Sequence, residues 1–307
     1  MGIRVLKGGM MTTVQDLGRT GYQSQGFSVS GVMDVRSFKI ANLLLDNPEN
    51  EAVLEFTLIG PTLEFTSETI ISITGGDFRP QINGKPAKMY TAIYMHRGDI
   101  LTFGGARTGT RGYIAFSSYL DVPVVMGSRS TNIKCQIGGY KGRKLEDEDY
   151  IAFRAKRRYL PYYLSRSLDL DEFDQEKITL RVVMGPQEKM FTKEGRETFL
   201  NSEYTVTSEF DRMGCRLEGP FIAYKTTSDI ISDGIAFGSV QVPSHGKPII
   251  LLADRQTTGG YAKIATVVSV DIPKLVQRKT EQKVRFQAVS VEEAQKLLAD
   301  EMKELND

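Results

Sequence analysis

The chain has 307 residues, 40% of them hydrophobic, which is enough for two cores of ordinary domain size without covalent staples. Its 39 Lys and Arg stand against 38 Asp and Glu, so the formal net charge of +1 excludes a general electrostatic pull toward nucleic acid or an anionic membrane. Cys135 and Cys215 lack C-x-x-C spacing, which excludes a disulfide framework and a thiolate metal site and fits a reducing compartment.

The opening MGIRVLKGGMMTTVQD carries one short apolar patch and reads as neither a signal peptide nor a transit sequence. No run approaches the ~18 apolar residues that span a bilayer, so the expectation is a soluble, cytoplasmic protein with no nucleic-acid or membrane partner. The segments IRVLK, AVLEFTLIG, TLEFTS, TIISITG, AIYMH, ILTFGG and GYIAFSS have strand length and are rich in β-branched and aromatic residues. Between them, INGKPAK and HRGD carry Asn-Gly and Gly-Asp steps suited to tight hairpins. One helix is expected at MDVRSFKIANLLLDNP, capped by Asp34, with Phe38, Ala41, Leu44 and Leu45 on one face, flanking or plugging a barrel.

Over residues 156–177 the composition turns to charges, tyrosines and a proline with no strand pattern, and the domain boundary is expected there, dividing 1–160 from 161–307. Beyond it ITLRVVMGP reads as a strand, MFTKEGRETFLN as a short helix, and GSVQVPS, PIILLAD, IATVVSV and KVRFQAV as further strands. Ser290 and Glu293 form a capping box for a terminal helix over VEEAQKLLADEMKEL. Gly60-Pro61 followed by Gly84-Lys85-Pro86, and Gly219-Pro220 followed by Gly246-Lys247-Pro248, are matched turns that duplication and chance explain equally well.

His96 and His245 are the only histidines and neither sits in a zinc-ligand spacing, so no metal is expected. A G-x-S-x-G elbow and a G-x-x-x-x-G-K-[ST] phosphate cradle are both missing. Ala87 stands where a biotin-accepting hairpin carries a methionine before its lysine, so Lys88 reads as a surface lysine.

Three polar clusters remain. In residues 12–34, Arg19 lies among Gly18, Gly21, Gly26 and Gly31. It can grip a carboxylate with two parallel hydrogen bonds, or it can join Asp16 in tying the loop together. In SEFDRMGCRLEGP, Asp211, Arg212, Arg216 and Glu218 can form a surface ion-pair ladder or present two arginines to an anion. In PIILLADRQTTGGY, Asp254 emerges at a strand tip as a candidate base, with Thr257, Thr258 and the amides of Gly259 and Gly260 able to stabilise an oxyanion and Tyr261 able to supply a hydroxyl or a stacking face; alternatively Asp254 pairs with Arg255 in an ordinary turn.

Taken together, QDLGRTGYQSQGFSVSGVMD, DRMGCRLEGP and QVPSHGKPIILLADRQTTGGYAKIATV resemble the biotin-dependent carboxyltransferase family, also called allophanate hydrolase subunit 2, along nearly the whole chain. The resemblance implies a mainly β fold of two tandem cyclophilin-like β-barrel domains with a few short helices. It also implies work beside two companions, a KipI-like protein and a LamB/YcsF-like protein. In such an assembly the lactam of 5-oxo-L-proline is opened to L-glutamate with ATP, bound by or shared with the partners, and without covalent biotin. The other activities within the family are a KipA-type regulator of a kinase inhibitor and the carboxyltransferase component of a urea carboxylase system. On this reading Asp254 is the expected base, and Arg19 and Arg216 are the catalytic anion contacts. Asp211, Arg212, Gln256, Thr258, Gly259, Gly260 and Tyr261 are expected to bind the amide or lactam substrate, in a pocket completed between the two barrels.

Overall fold

A computed structural model describes residues 1–156, 160–168 and 173–306. The described chain is mainly β and divides into two compact units, one of Met1–Thr20 with Ser30–Asp174 and one of Gly21–Val29 with Gln175–Asp307. The boundary expected between residues 160 and 161 falls inside the first unit, and the linker read over 156–177 lies partly outside the described residues.

The first unit holds two open sheets. A six-stranded one runs in the order Tyr150–Ala152, Gly2–Lys7, Thr62–Phe65, Ile100–Thr102, Gln81–Ile82, Lys85–Pro86. A five-stranded one runs Met11–Gln15, Val53–Thr57, Arg111–Phe116, Thr69–Gly75, Ala92–Met95. The first-unit barrel is therefore corrected to a pair of open sheets. The six-stranded sheet ends at Lys85–Pro86, where the proline has no amide hydrogen to extend the ladder. The Asn83-Gly84 hairpin forms as its sequence demands, with φ of +52° and +77° at the two turn residues.

The helix Val35–Leu44 lies on the five-stranded sheet, burying Phe38 and Ala41 among Val53, Ile70, Tyr113 and Ala115. Burial of Phe38 alone contributes about 2–3 kcal/mol. Asp34 caps the helix, accepting from the Ser37 amide at 2.9 Å and the Ser37 hydroxyl at 2.7 Å. Its own amide donates to the Tyr113 hydroxyl (2.9 Å), which donates to Glu55 (2.9 Å). Burial, then the neighbouring Glu55 and Asp34 charges, push the Tyr113 phenol well above its ordinary value, so it stays protonated as the donor in this chain of bonds.

The second unit is a closed barrel of seven strands in the order Lys177–Met184, Lys263–Val267, Ser239–Gln241, Ile249–Leu251, Gly214–Glu218, Tyr204–Phe210, Lys283–Ala288. Closure comes from the parallel pairing of Lys177–Met184 with Lys283–Ala288, in register from Lys177 against Lys283; the other neighbours pair antiparallel. Closing the sheet removes its edges. Leu180, Val182, Val206, Val240, Ile250, Ala265 and Val284 are buried on the barrel's inward face. The helix Lys193–Asn201, capped by Thr192, stacks Phe199 on Phe286 with ring centroids 4.4 Å apart. A two-stranded ribbon, Asp229–Gly234 with Thr258–Tyr261, stands beside the barrel. At the chain end Ser290 and Glu293 exchange the reciprocal hydrogen bonds of a capping box, 2.8 and 3.1 Å, ahead of the helix Val291–Asn306. No helix among the described residues is long and apolar enough to cross a membrane.

Two outcomes follow from these packed polar groups. Asp34→Ala removes a buried cap and is expected to lower the stability of the first unit by about 1–2 kcal/mol, read from its denaturant midpoint at unchanged slope. Asp271, fully buried, is the second case. Burial alone would raise its carboxyl, but hydrogen bonds from Arg181 and Lys274 outweigh burial and hold it below the ordinary 3.8. Its stabilising effect is therefore complete above that value and lost as the pH falls through the lower folded value. Acid titration of unfolding should show Asp271→Asn less stable at neutral pH, with a flatter acid limb than the parent.

Candidate functional site

A pocket of about 560 Å³ opens on the second unit. One wall is the hairpin Tyr204–Phe210 and Gly214–Glu218, which supplies Glu209, Asp211 and Arg216. The opposite wall is the strand Thr258–Tyr261 with Gln256 just before it. Between them the barrel strands Ser239–Gln241 and Ile249–Leu251 form a floor of Gln241, Ile249 and Leu251. An apolar floor with a few convergent polar groups is the usual composition of a small-molecule site.

Of the residues singled out from sequence, the pocket brings together Asp211, Arg216, Gln256, Thr258, Gly259, Gly260 and Tyr261. The Thr258–Tyr261 stretch is a strand rather than a loop, paired through Gly259 with Asp233 and through Tyr261 with Asp229. Asp211 turns one carboxylate oxygen back on the hairpin, accepting from the amides of Met213 (2.7 Å) and Gly214 (3.1 Å). Arg216 donates through Nε to Glu209 at 2.9 Å, with both side chains about half or more exposed. A pair so wetted contributes about 0–1 kcal/mol, so an anionic ligand can displace Glu209 at little cost.

Arg212 and Asp254 stand apart from this lining. The Arg212 guanidinium meets the Asp254 carboxylate with two hydrogen bonds, Nε to Oδ2 at 2.9 Å and Nη2 to Oδ1 at 3.3 Å, and the side chains are 10% and 15% exposed. The strand that was expected to end at Asp254 ends at Leu251, and Asp254 lies in the turn beyond, its amide donating to the Arg212 carbonyl at 2.8 Å. Asp254, the expected base, is here an ion-paired carboxylate. Both carboxylate oxygens already accept from Arg212, and this pair clasps the 211–213 turn to the 252–255 turn. The partner is Arg212 and not the adjacent Arg255, which is buried over the Phe237 ring and donates to the carbonyls of Ile235 (3.0 Å) and Leu252 (3.1 Å). Burial pulls the Arg255 guanidinium below its ordinary value.

Arg19, the other expected anion contact, is buried. It belongs to the first unit, is 1% exposed, and donates to the carbonyl of Ser130. Asp16 accepts from the hydroxyls of Ser128 and Ser130 (2.6 Å each) and from the amide of Arg129 (2.6 Å). Asp16 and Arg19 thus both bond to the 128–130 segment. Further along the same glycine-rich stretch, Gly21–Val29 is part of the second unit, where the Ser28 hydroxyl donates to the Arg255 carbonyl at 2.8 Å.

Gln241 and Glu209 escaped the sequence reading. Gln241 lies in a stretch whose apolar neighbours read as core, and its Nε2 donates to the Tyr261 carbonyl at 3.2 Å. Its one sequence signal is a long amide amid Val240 and Val242, on a strand otherwise fit for a barrel interior. The expected ladder of Asp211, Arg212, Arg216 and Glu218 is not self-contained: Glu218 pairs with Lys247 at 2.6 Å, and each arginine finds its carboxylate elsewhere.

Arg212→Met alone leaves a partly buried carboxylate uncompensated and should cost the second unit about 2–4 kcal/mol. The double variant Arg212→Met with Asp254→Leu should recover most of that loss; a thermodynamic cycle showing additive losses would remove the clasp.

Residues 25–288 match the family described as carboxyltransferase domain, subdomain A and B. The chain is 33% identical to the C subunit of 5-oxoprolinase from Escherichia coli, over 98% of this chain and 96% of that one. It is 34% identical to the C subunit of 5-oxoprolinase from Haemophilus influenzae, over 93% and 90%. Among solved structures, the urea amidolyase of K. lactis superposes with a TM-score of 0.91 at 29% identity, over 99% of this chain. There the chain spans only 20% of the larger protein.

Proposed function

Since this chain belongs to the carboxyltransferase-domain family of subdomains A and B, we propose that it is the C subunit of an ATP-dependent 5-oxoprolinase, opening the lactam of 5-oxo-L-proline to L-glutamate. The observation that carries this reading is the end-to-end correspondence with the two 5-oxoprolinase chains, 96% and 90% of whose lengths are matched. The finer features implied by the resemblance go with it: cyclophilin-like ancestry of both units, a cytoplasmic setting, a KipI-like partner and a LamB/YcsF-like partner.

The chemistry asks for what the pocket of the second unit offers. Amide resonance makes a lactam a poor electrophile, and transfer of a phosphoryl group from ATP to the carbonyl oxygen removes that resonance. Water then adds to the carbon and the C–N bond breaks as the nitrogen takes a proton, leaving an acyl phosphate, from which a second water releases phosphate to give the carboxylate. In this scheme Arg216 exchanges Glu209 for the substrate carboxylate, which a guanidinium can hold by two parallel hydrogen bonds. Thr258 and the backbone of Gly259 and Gly260 face the reacting carbonyl, with Tyr261 and Gln256 at the rim. Asp211, with its second carboxylate oxygen directed away from the hairpin amides, takes the proton-transfer role first assigned to Asp254. Arg212 and Asp254 hold the walls in place, and Arg19 serves the first unit.

A second reading, the carboxyltransferase component of a biotin system, is favoured by the 0.91 superposition on urea amidolyase. Glutamate release from 5-oxoproline by the chain with both companions, with and without ATP and with avidin added, separates the two. ATP-dependent release that avidin leaves intact supports the lactamase, and release abolished by avidin supports the carboxyltransferase. With the complex in hand, Arg216→Gln should raise KM for 5-oxoproline about tenfold while kcat changes little. An unchanged KM would take Arg216 out of substrate binding.

A further inference from the structure

The pocket contains one polar side chain of unusual standing. Gln241 is 5% exposed, yet it lines the pocket, where Glu209, Asp211, Arg216, Gln256, Thr258 and Tyr261 are all exposed. Its Nε2 donates to the backbone carbonyl of Tyr261 at 3.2 Å. A carbonyl oxygen can only accept, so this bond fixes which end of the amide is nitrogen. Oε1 is left with no hydrogen-bond partner among the described residues, and Nε2 keeps a second proton. An amide oxygen and an amide proton left unused at a pocket wall are available to a ligand. The neighbouring backbone is shaped to leave the amide uncovered: a Cβ at Gly259 would lie 2.9 Å from Gln241 Nε2 and 2.7 Å from Ile235 Cδ1.

Resting on the assignment of this pocket as the substrate site, we propose that Gln241 determines specificity by reading the cis N–C=O edge of the substrate. Oε1 accepts from the substrate N–H while the second Nε2 proton is donated to its carbonyl oxygen. A five-membered lactam holds its amide cis, so N–H and C=O lie on one edge with the spacing of a side-chain amide, and the two pair as amides do with each other. Urea presents the same edge. An N-alkylated lactam lacks the donor, and a site that hydrogen-bonds an N–H rejects such an analogue strongly because its own acceptor is left unpaired. Gln241 is separate from the groups that transfer protons or hold the carboxylate, so it sets which amides enter without itself reacting.

Calorimetric titration of the full chain, alone and with its companion proteins, with 5-oxo-L-proline, N-methyl-5-oxoproline and urea, tests this. The parent should bind 5-oxoproline at least about tenfold more tightly than the N-methyl form. Gln241→Met should bind the two equally, and thermal unfolding establishes that the variant is folded. Gly259→Ala leaves Gln241 in place but crowds its Nε2, and should also weaken 5-oxoproline binding. Equal binding of both lactams by the parent, discrimination retained in Gln241→Met, or binding of none of the three overturns the proposal. A preference for urea over 5-oxoproline that Gln241→Met removes would keep the edge reading and assign urea as its source. Glutamate release that continues without discrimination at Gln241 would drop this proposal and keep the lactamase. Amide binding that depends on Gln241 without glutamate release would do the reverse.

Discussion

The second unit's pocket depends on one ion pair behind it. Arg212 and Asp254 lie in two different turns, 42 residues apart in sequence, and their doubly hydrogen-bonded contact is reinforced by the backbone bond from the Asp254 amide to the Arg212 carbonyl. Asp211 precedes the first of these residues and Gln256 follows the second, so the clasp sets the separation of two opposite rims of the pocket. A partly desolvated pair of this kind adds little net stability over an apolar isostere, but breaking it on one side is costly, which suits it to fixing geometry. The barrel beneath supplies the rigid part, since a closed sheet cannot slip its register at an edge.

Much of the fold was legible in the sequence because local rules and tertiary packing agree there. The Asp34 cap, the Asn83-Gly84 hairpin and the Ser290/Glu293 box each state their geometry in two to four residues, and all three form. Strands rich in valine and isoleucine were equally plain. What escaped were strands whose character comes from their neighbours. Met11–Gln15 contains Thr12, Thr13 and Gln15, which are polar yet buried, and it read as loop. Gly214–Glu218 alternates charge with Cys215 and Leu217 inside, and its charges drew attention away from that alternation. Thr258–Tyr261 has two central glycines, a poor strand by propensity, held by its partner Asp229–Gly234. Barrel closure was expected only through the family resemblance, because in the residues themselves it rests on the non-local pairing of Lys177–Met184 with Lys283–Ala288.

The candidate site divides in the same way. Motif density located the pocket, since seven of the singled-out residues line it, but it could not say which charged residues face a ligand and which face each other. Asp254 and Arg19 look alike in sequence to functional groups; the first is held by Arg212, and the second is sealed against Ser130. Gln241 shows the converse. Its position between two buried valines gave it the look of scaffold, and only the bond to Tyr261 reveals an amide with one face unspent. Functional polarity here is a property of pairing, and pairing is set by residues far apart in the chain.

The central claim is that the second unit's pocket receives a small cyclic amide between the Gln241 floor and the Thr258–Tyr261 strand. The most direct measurement is a crystal structure of the chain with 5-oxo-L-proline bound. The account predicts the lactam ring over Ile249 and Leu251, its N–H within hydrogen-bond distance of Gln241 Oε1 and its carboxylate on Arg216. A ligand bound elsewhere on the chain, with Gln241 and Arg216 unengaged, would contradict it.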